Sequence, residues 1–403
     1  MHVYSLLLPL ILYLQSSFSD TRVSLEHRGT RENMISSRTF VFWPLFAFML
    51  VIKIVCFGNS YFEVFQSKGG QNQERKAMSA PQIKYQPSLL EEYVLENANR
   101  YSMNSTSRAT MRPMCSVLGH PDSEELRNYL ENLKTYNFLL KTFPPLNQDI
   151  RTLLSEFGSS VCNKVLLSGG NNSNVSELFA PNQISTSSVV GALEPLIPPL
   201  RHPAFCKDRS KLMDLSYMVH DFHAMCQNLK PTARTVFVDM GASLDFHGES
   251  SVPAMYVLKL YRKFGFHFDH IYAYEVTPKE PSEVFQKVPP EFFATYHWIN
   301  VGVESDQQSV LNPLQMLADH YDEDDFIVIK LDIDTSSVEV PLANQLLEDE
   351  RIGRLVDQFY FEHHVYLKEL SPYWGKAMGG SVSDSLNLCK SLRQKGIGAH
   401  SWV

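Results

Sequence analysis

Beyond Thr235, short apolar runs alternate with longer amphipathic stretches. The first run, Thr235-Val236-Phe237-Val238, is β-branched and aromatic and stops at Asp239-Met240-Gly241-Ala242-Ser243. The second, Ile271-Tyr272-Ala273-Tyr274, stops at Glu275, and the third spans His297 to Val303. A fourth unit, Asp325 to Asp334, is an apolar run broken only by Lys330 and flanked by acids, as expected of a central parallel strand buried on both faces. The fifth, Gln358 to Phe361, leads into Glu362-His363-His364. Strand, small-residue turn, helix, strand is the unit of a doubly wound, mostly parallel α/β fold of Rossmann-like type. Ligands of such folds lie beyond the carboxyl ends of the strands.

Upstream the periodicity is helical. A helix is expected near Ser88 to Tyr101, and another after Asp122 and Ser123, where Glu124 and Glu125 give an N-terminal signature. Its apolar positions are Leu126, Leu130, Leu133, Phe138 and Leu139. A short helix follows over Gln148 to Phe157. The polar stretch 169–188 reads as loop, and four prolines between Pro195 and Pro203 end the helical region. Leu212 to Leu229 predicts one helix carrying His220, His223 and Cys226 at a spacing of three. Those three could ligate a metal, but a closed zinc site needs more ligands than they supply, so an amphipathic helix with a polar edge is preferred.

The 403 residues are 44% hydrophobic and 20% charged, the composition of a globular protein. A net charge of −8 without any Lys/Arg-rich block gives no electrostatic support to a nucleic-acid partner. Six cysteines in so long a chain do not make a disulfide scaffold. The N-terminus is membrane-directed. Val3 to Leu14 followed by Ser17-Phe18-Ser19 resembles a signal peptide with a weakly charged start. Phe40 to Phe57 is apolar except for Pro44 and Lys53, and is about the shortest helix that spans a bilayer. Arg22, Arg28, Arg31 and Arg38 precede it, which favours a cytosolic N-terminus. Sequons at Asn104, Asn171 and Asn174 accord with a lumenal remainder. A cleaved signal at the first segment would instead leave the remainder cytosolic. The expected division is a targeting or cytosolic segment (1–38), a transmembrane signal anchor (39–58), a stem (59–118), a helical and linker region (119–201) and a catalytic domain (202–403). Such a single-pass glycoprotein would reside in the Golgi or endoplasmic reticulum.

The loop after the first run lacks G-x-G-x-x-G, which argues against a pyrophosphate cradle and suits a nucleoside without phosphates, such as S-adenosylmethionine. Gly241 and Ala242 would let the backbone approach the adenosyl group, with Asp239 and Ser243 beside it. Glu275 stands where an acid accepts hydrogen bonds from two ribose hydroxyls. The loop opening at Asn300 would flank the adenine. Asp332 and Asp334 would share a face if their strand continued that far. They could orient an acceptor, take a proton or, with Glu362, hold a divalent cation. His363 or His364 could take the proton of an attacking hydroxyl.

The stretch from Thr235 to Trp402 resembles the FkbM-type class I methyltransferases. Asp239-Met240-Gly241-Ala242 matches their Asp-x-Gly-Ala turn, Lys330-Leu331-Asp332-Ile333-Asp334-Thr335 their Lys-Ile-Asp-Val-Glu-Gly strand end, and Glu362-His363 their acid–histidine pair. Asp334, Thr335 and Ser243 depart from the usual Glu, Gly and Asn. The resemblance implies S-adenosylmethionine-dependent methyl transfer to a hydroxyl of a glycan or small metabolite. The rival readings are a metal-dependent glycosyltransferase using Asp332-Ile333-Asp334 as an Asp-x-Asp motif, and a non-catalytic binding module of the same fold.

Overall fold

Six strands form one sheet: β1 (Thr235–Met240), β2 (His270–Tyr274), β3 (Tyr296–Ile299), β4 (Phe326–Leu331), β5 (Val356–Phe361) and β6 (Gly398–Ser401). Their order is β3-β2-β1-β4-β5-β6 and every neighbouring pair is parallel. The computed structural model describes residues 85–100, 110–119, 123–167, 175–179, 190–243 and 253–402. The expected signal and anchor segments and the three sequon asparagines lie outside these residues. No helix among the described residues is long and apolar enough to cross a membrane.

The direction of winding reverses between β1 and β4, which pair from Thr235↔Phe326 to Met240↔Leu331. This register sets the Gly241 turn against Asp332, at the switch point where doubly wound sheets open a crevice. All six positions of β1 and of β4 are buried, because both faces of the sheet are covered.

Ten helices matter here: α1 (Leu89–Arg100), α2 (Arg112–Leu118), α3 (Glu124–Thr142), α4 (Ile150–Phe157), α5 (Phe222–Asn228), α6 (Pro253–Lys263), α7 (Pro281–Lys287), α8 (Pro313–His320), α9 (Ser336–Glu348) and α10 (Val382–Gln394). Leu314 and Leu317 of α8, Leu342 and Leu346 of α9 and Leu388 and Leu392 of α10 pack with Val236, Val238, Ile327 and Ile329 on one face. Tyr261 of α6 and Val284 of α7 join Phe237, Ile271 and Val328 on the other. Right-handed crossovers divide the helices in this way, since the connections reverse side at the switch point.

That division leaves β4–β6 to be covered on the second face by other residues, and the segment before β1 does it. The His220 ring bonds the Tyr360 hydroxyl at 2.7 Å, and Tyr217 donates to the Ser401 carbonyl. Glu194 accepts Val219 N–H at 3.0 Å and pairs with His400 on β6 at 3.0 Å. Arg393 on α10 is fully buried and donates to the Glu194 carbonyl at 2.8 Å, to Glu91 of α1 at 3.2 Å and to the Ala399 carbonyl at 2.9 Å.

The described residues on either side of the expected boundaries near 118 and 201 share one core. Ser79–Val403 is one compact unit, and the described residues read as stem and linker complete the core of the sheet. Expected helix detail changes too. Phe138 is exposed, and α3 buries Leu126, Tyr129, Leu133, Tyr136 and Leu140 instead. Its tyrosine hydroxyls reach the backbone at Tyr217 and His220, which a count of aliphatic residues could not foresee. Leu212 to Leu229 is not one helix but 3-10 turns followed by α5, whose N-cap Asp221 accepts Ala224 N–H. Cys226 bonds Cys162, and Cys115 bonds Cys206. With Cys226 in a disulfide and His220 held by Tyr360, the metal reading of that segment lapses.

Candidate functional site

At the carboxyl edge of β1–β3 lies an open cleft of about 320 Å³, lined by Ser243, Glu275, Thr277, Lys279, Val284 and Trp298 among others. This is near the lower end of small-molecule sites, roughly 300–1,000 Å³. Glu275 leaves β2 nearly buried and turns one oxygen onto Thr277 N–H at 2.7 Å. That bond braces the turn and fixes the carboxylate at the cleft wall. Asn300 does not border the cleft. Its amide donates to the carbonyls of Glu275 (2.6 Å) and Thr277 (3.0 Å) while its oxygen accepts Lys279 N–H (3.1 Å). It is a brace between the β2 and β3 turns. Trp298 Nε1, at the cleft wall, is buried without a hydrogen-bond partner.

The β1 turn is shaped by the protein itself. Gly241 has φ +88, and a Cβ there would fall 1.6 Å from the Asp332 carbonyl oxygen. A glycine is thus required there by the approach of the β4 end. Gly241 and Ala242 both donate their N–H to the Tyr274 carbonyl, at 3.0 and 2.9 Å. Neither amide is left to cradle a phosphate, which agrees with the missing glycine fingerprint.

Lys330, the one charge in the β4 run, is buried at the switch point. Its ammonium donates to the Gly241 carbonyl at 2.6 Å and sits 3.1 Å from Asp239 and 3.3 Å from Asp332. Burial acts to lower the lysine pKa, but the two carboxylates outweigh it and hold it above its ordinary range. Asp239 is raised by burial, with Lys330 opposing. Trp402 Nε1 donates to Asp332 at 3.1 Å. Asp239 and Asp332 therefore have one structural partner in common, and β1, β4 and the chain's end are tied together by it.

A second group occupies the rim of β4 and β5. The strand ends at Leu331, so Asp332 and Asp334 do not continue as alternate strand positions. Asp334 takes φ +55 and points to His364, whose Nε2 is 3.4 Å from Asp334 Oδ1 and 3.3 Å from Glu362 Oε2. Glu339, fully buried on α9, reaches back to accept Ile333 N–H at 2.8 Å and faces His364 Nδ1 at 3.8 Å. Arg201, at φ +59, pairs with Glu362. Burial lowers the Arg201 guanidinium, and Tyr217, Asp332 and Asp334 work the other way. A bulky residue in the left-handed region is uncommon and costs on the order of 1–3 kcal/mol, so the fold holds Arg201 there against strain. No motif marks Arg201; it sat in what read as linker.

The two histidines part company. His363 turns from the rim to stack on Phe361 at 5.1 Å, beside Gly380. Burial, aided by His364 and opposed by Asp384 and the Gly379 backbone, pushes its pKa down to about 4. The folded state thus favours neutral His363. Its contribution to stability is intact above the ordinary value of 6.5 and is lost as pH falls toward about 4. The full shift corresponds to on the order of 3 kcal/mol. Thermal melts of His363→Gln are expected to lose steepness across this window; a decline as steep as in the parent would assign the acid sensitivity to other groups.

Six parallel strands in this order, with helices on both faces, define a Rossmann-like α/β protein. No protein-family model matches the chain, and neither a curated protein nor a solved structure is similar to it at a significant level.

Proposed function

We propose that this protein is an S-adenosylmethionine-dependent O-methyltransferase whose acceptor is a hydroxyl of a glycan or small metabolite. One observation carries the reading: a nearly buried acid, Glu275, ends β2 at the wall of the cleft beside the switch point. An acid there reads an unphosphorylated ribose. The occupied amides of Gly241 and Ala242 favour a nucleoside over a dinucleotide. Ser243 and Trp298 would border the cosubstrate, and the acceptor would approach from the β4–β5 rim.

In the reaction the acceptor oxygen attacks the sulfonium methyl in line. The new O–CH₃ bond forms as the S–CH₃ bond breaks, the thioether leaves, and the hydroxyl proton passes to a base. His364 is the better placed of the two histidines for that role, because His363 is stacked inside the sheet end. Much of the acceleration would come from holding donor and acceptor in near-attack geometry. The two disulfides support a catalytic portion in the oxidising secretory lumen, as a type II anchor would place it.

Calorimetry of the full chain with S-adenosylhomocysteine tests this. Binding is expected, and Glu275→Ala should weaken it at least about tenfold, since charged hydrogen bonds contribute roughly 1.5–3 kcal/mol. Undiminished affinity in that variant removes the ribose assignment. Binding of NAD or of a nucleotide sugar, with none of S-adenosylhomocysteine, replaces the methyltransferase with one of the rival readings.

A further inference from the structure

We infer that Asp334, Glu362 and His364 form a binding site for a single divalent transition-metal ion at the β4–β5 rim. The three donor atoms lie within 4.8 Å of one another. The two edges measured from His364 Nε2, 3.3 Å to Glu362 and 3.4 Å to Asp334, are close to what one ion imposes. Ligands at about 2.0–2.1 Å from a tetrahedral centre stand about 3.3 Å apart, and around an octahedral centre about 3.0 Å.

Convergent acids alone would not carry the inference. The independent observation is His364, which is buried, and both of its ring nitrogens lack a hydrogen bond. The two carboxylate oxygens are near its Nε2 yet make no hydrogen bond with it, so their approach is not explained by an N–H donor. A buried imidazole with nothing bonded to either nitrogen is costly unless something else satisfies it.

The surrounding groups fit a ligating imidazole. Glu339, whose Oε2 also lacks a partner, faces Nδ1, which is the position of the outer carboxylate in a carboxylate–histidine–metal arrangement. Arg201 holds the opposite oxygen of Glu362, leaving Oε2 toward His364. Carboxylates outnumber this one guanidinium, so the pocket favours a cation. Asp334 is largely exposed and offers a route of entry from solvent. One nitrogen and two oxygens favour Zn²⁺, a borderline ion, and admit Mn²⁺ more weakly, over Ca²⁺ or Mg²⁺, which take all-oxygen sets. The site is built without Asp332, which is engaged by Lys330 and Trp402.

Metal binding itself does not rest on the methyltransferase reading. Only its use would: with the ion bound, His364 would serve as a ligand and not as the base, and the ion would hold the acceptor hydroxyl and lower its pKa. The test is Mn²⁺ titration of the metal-stripped full chain, followed by paramagnetic resonance of the free ion. One saturable equivalent is expected, competed by Zn²⁺ and little affected by equimolar Mg²⁺. Asp334→Asn alters an exposed side chain and should weaken Mn²⁺ at least tenfold without changing the melting temperature of the stripped protein. His364→Gln should abolish binding. An absence of saturable binding, as when water alone satisfies His364, overturns the site, and so does unchanged affinity in Asp334→Asn. Neither result bears on S-adenosylhomocysteine binding, so the two proposals fail separately.

Discussion

Lys330→Met is expected to cost about 3–5 kcal/mol of stability, the range for stripping one partner from a buried ion pair. Lys330 is the only cation between Asp239 and Asp332 among the described contacts, and it also caps the Gly241 carbonyl. Methionine preserves much of the apolar stem but leaves the buried Asp239 and the half-buried Asp332 carboxylates facing each other. The β1 turn and the β4 end should then separate, and nucleoside affinity at the neighbouring cleft should fall with them. Two controls identify the cause. Asp239→Asn in the Lys330→Met background should recover part of the loss, because a neutral amide is cheaper to bury than an unpaired charge. Acidification should recover part as well, since Lys330 supplies the attraction that opposes burial on Asp239. Denaturant midpoints at constant slope measure both. A loss below about 1 kcal/mol would mean that Lys330 is not a tie between the strands.

The Arg393→Met variant should lose at least as much, about 3–5 kcal/mol, for a different reason. Arg393 lies at the centre of the contacts that bind the segment before β1 to β6 and α10. It touches Glu91, the hydroxyl of Tyr85 and the carbonyls of Glu194 and Ala399. Burial would raise the Glu194 carboxyl, yet His400 and Arg393 bring it down to about 2. Without the guanidinium, Glu91 and two carbonyls are left buried with fewer partners. The expected signature is early release of α1, seen as protease cleavage before the sheet unfolds. A variant that unfolds in one step at the parent midpoint would contradict the role given to Arg393 here.

Local pattern was enough to find the cores of β1 to β5, because a buried parallel strand is a continuous apolar run, and in four of the five an acid stands at or beside the strand's end; the third run, read as far as Val303, stops at Ile299. It was not enough for β6. Gly398-Ala399-His400-Ser401 has neither β-branched residues nor alternation, and it is a strand because His400 is held by Glu194 and Gln358. Likewise Tyr129 and Tyr136, not the expected Phe138, face inward on α3, because their hydroxyls find backbone partners distant in sequence. Among the site residues, Glu275 was legible from its place after a strand. Arg201 and Glu339 were not, since each reaches the rim by a tertiary route that leaves no local signature.

The chain's own letters settled the class of fold and the acids gathered along the carboxyl edge of the sheet. These depend on residue type and on neighbours one or two positions away. Strand order, the pairing of cysteines, the joining of the described residues before β1 to the sheet and the separation of His363 from His364 were decided only by the folded molecule. Each of those is a contact between positions far apart in sequence, and its energy depends on burial and geometry that no short window of sequence contains.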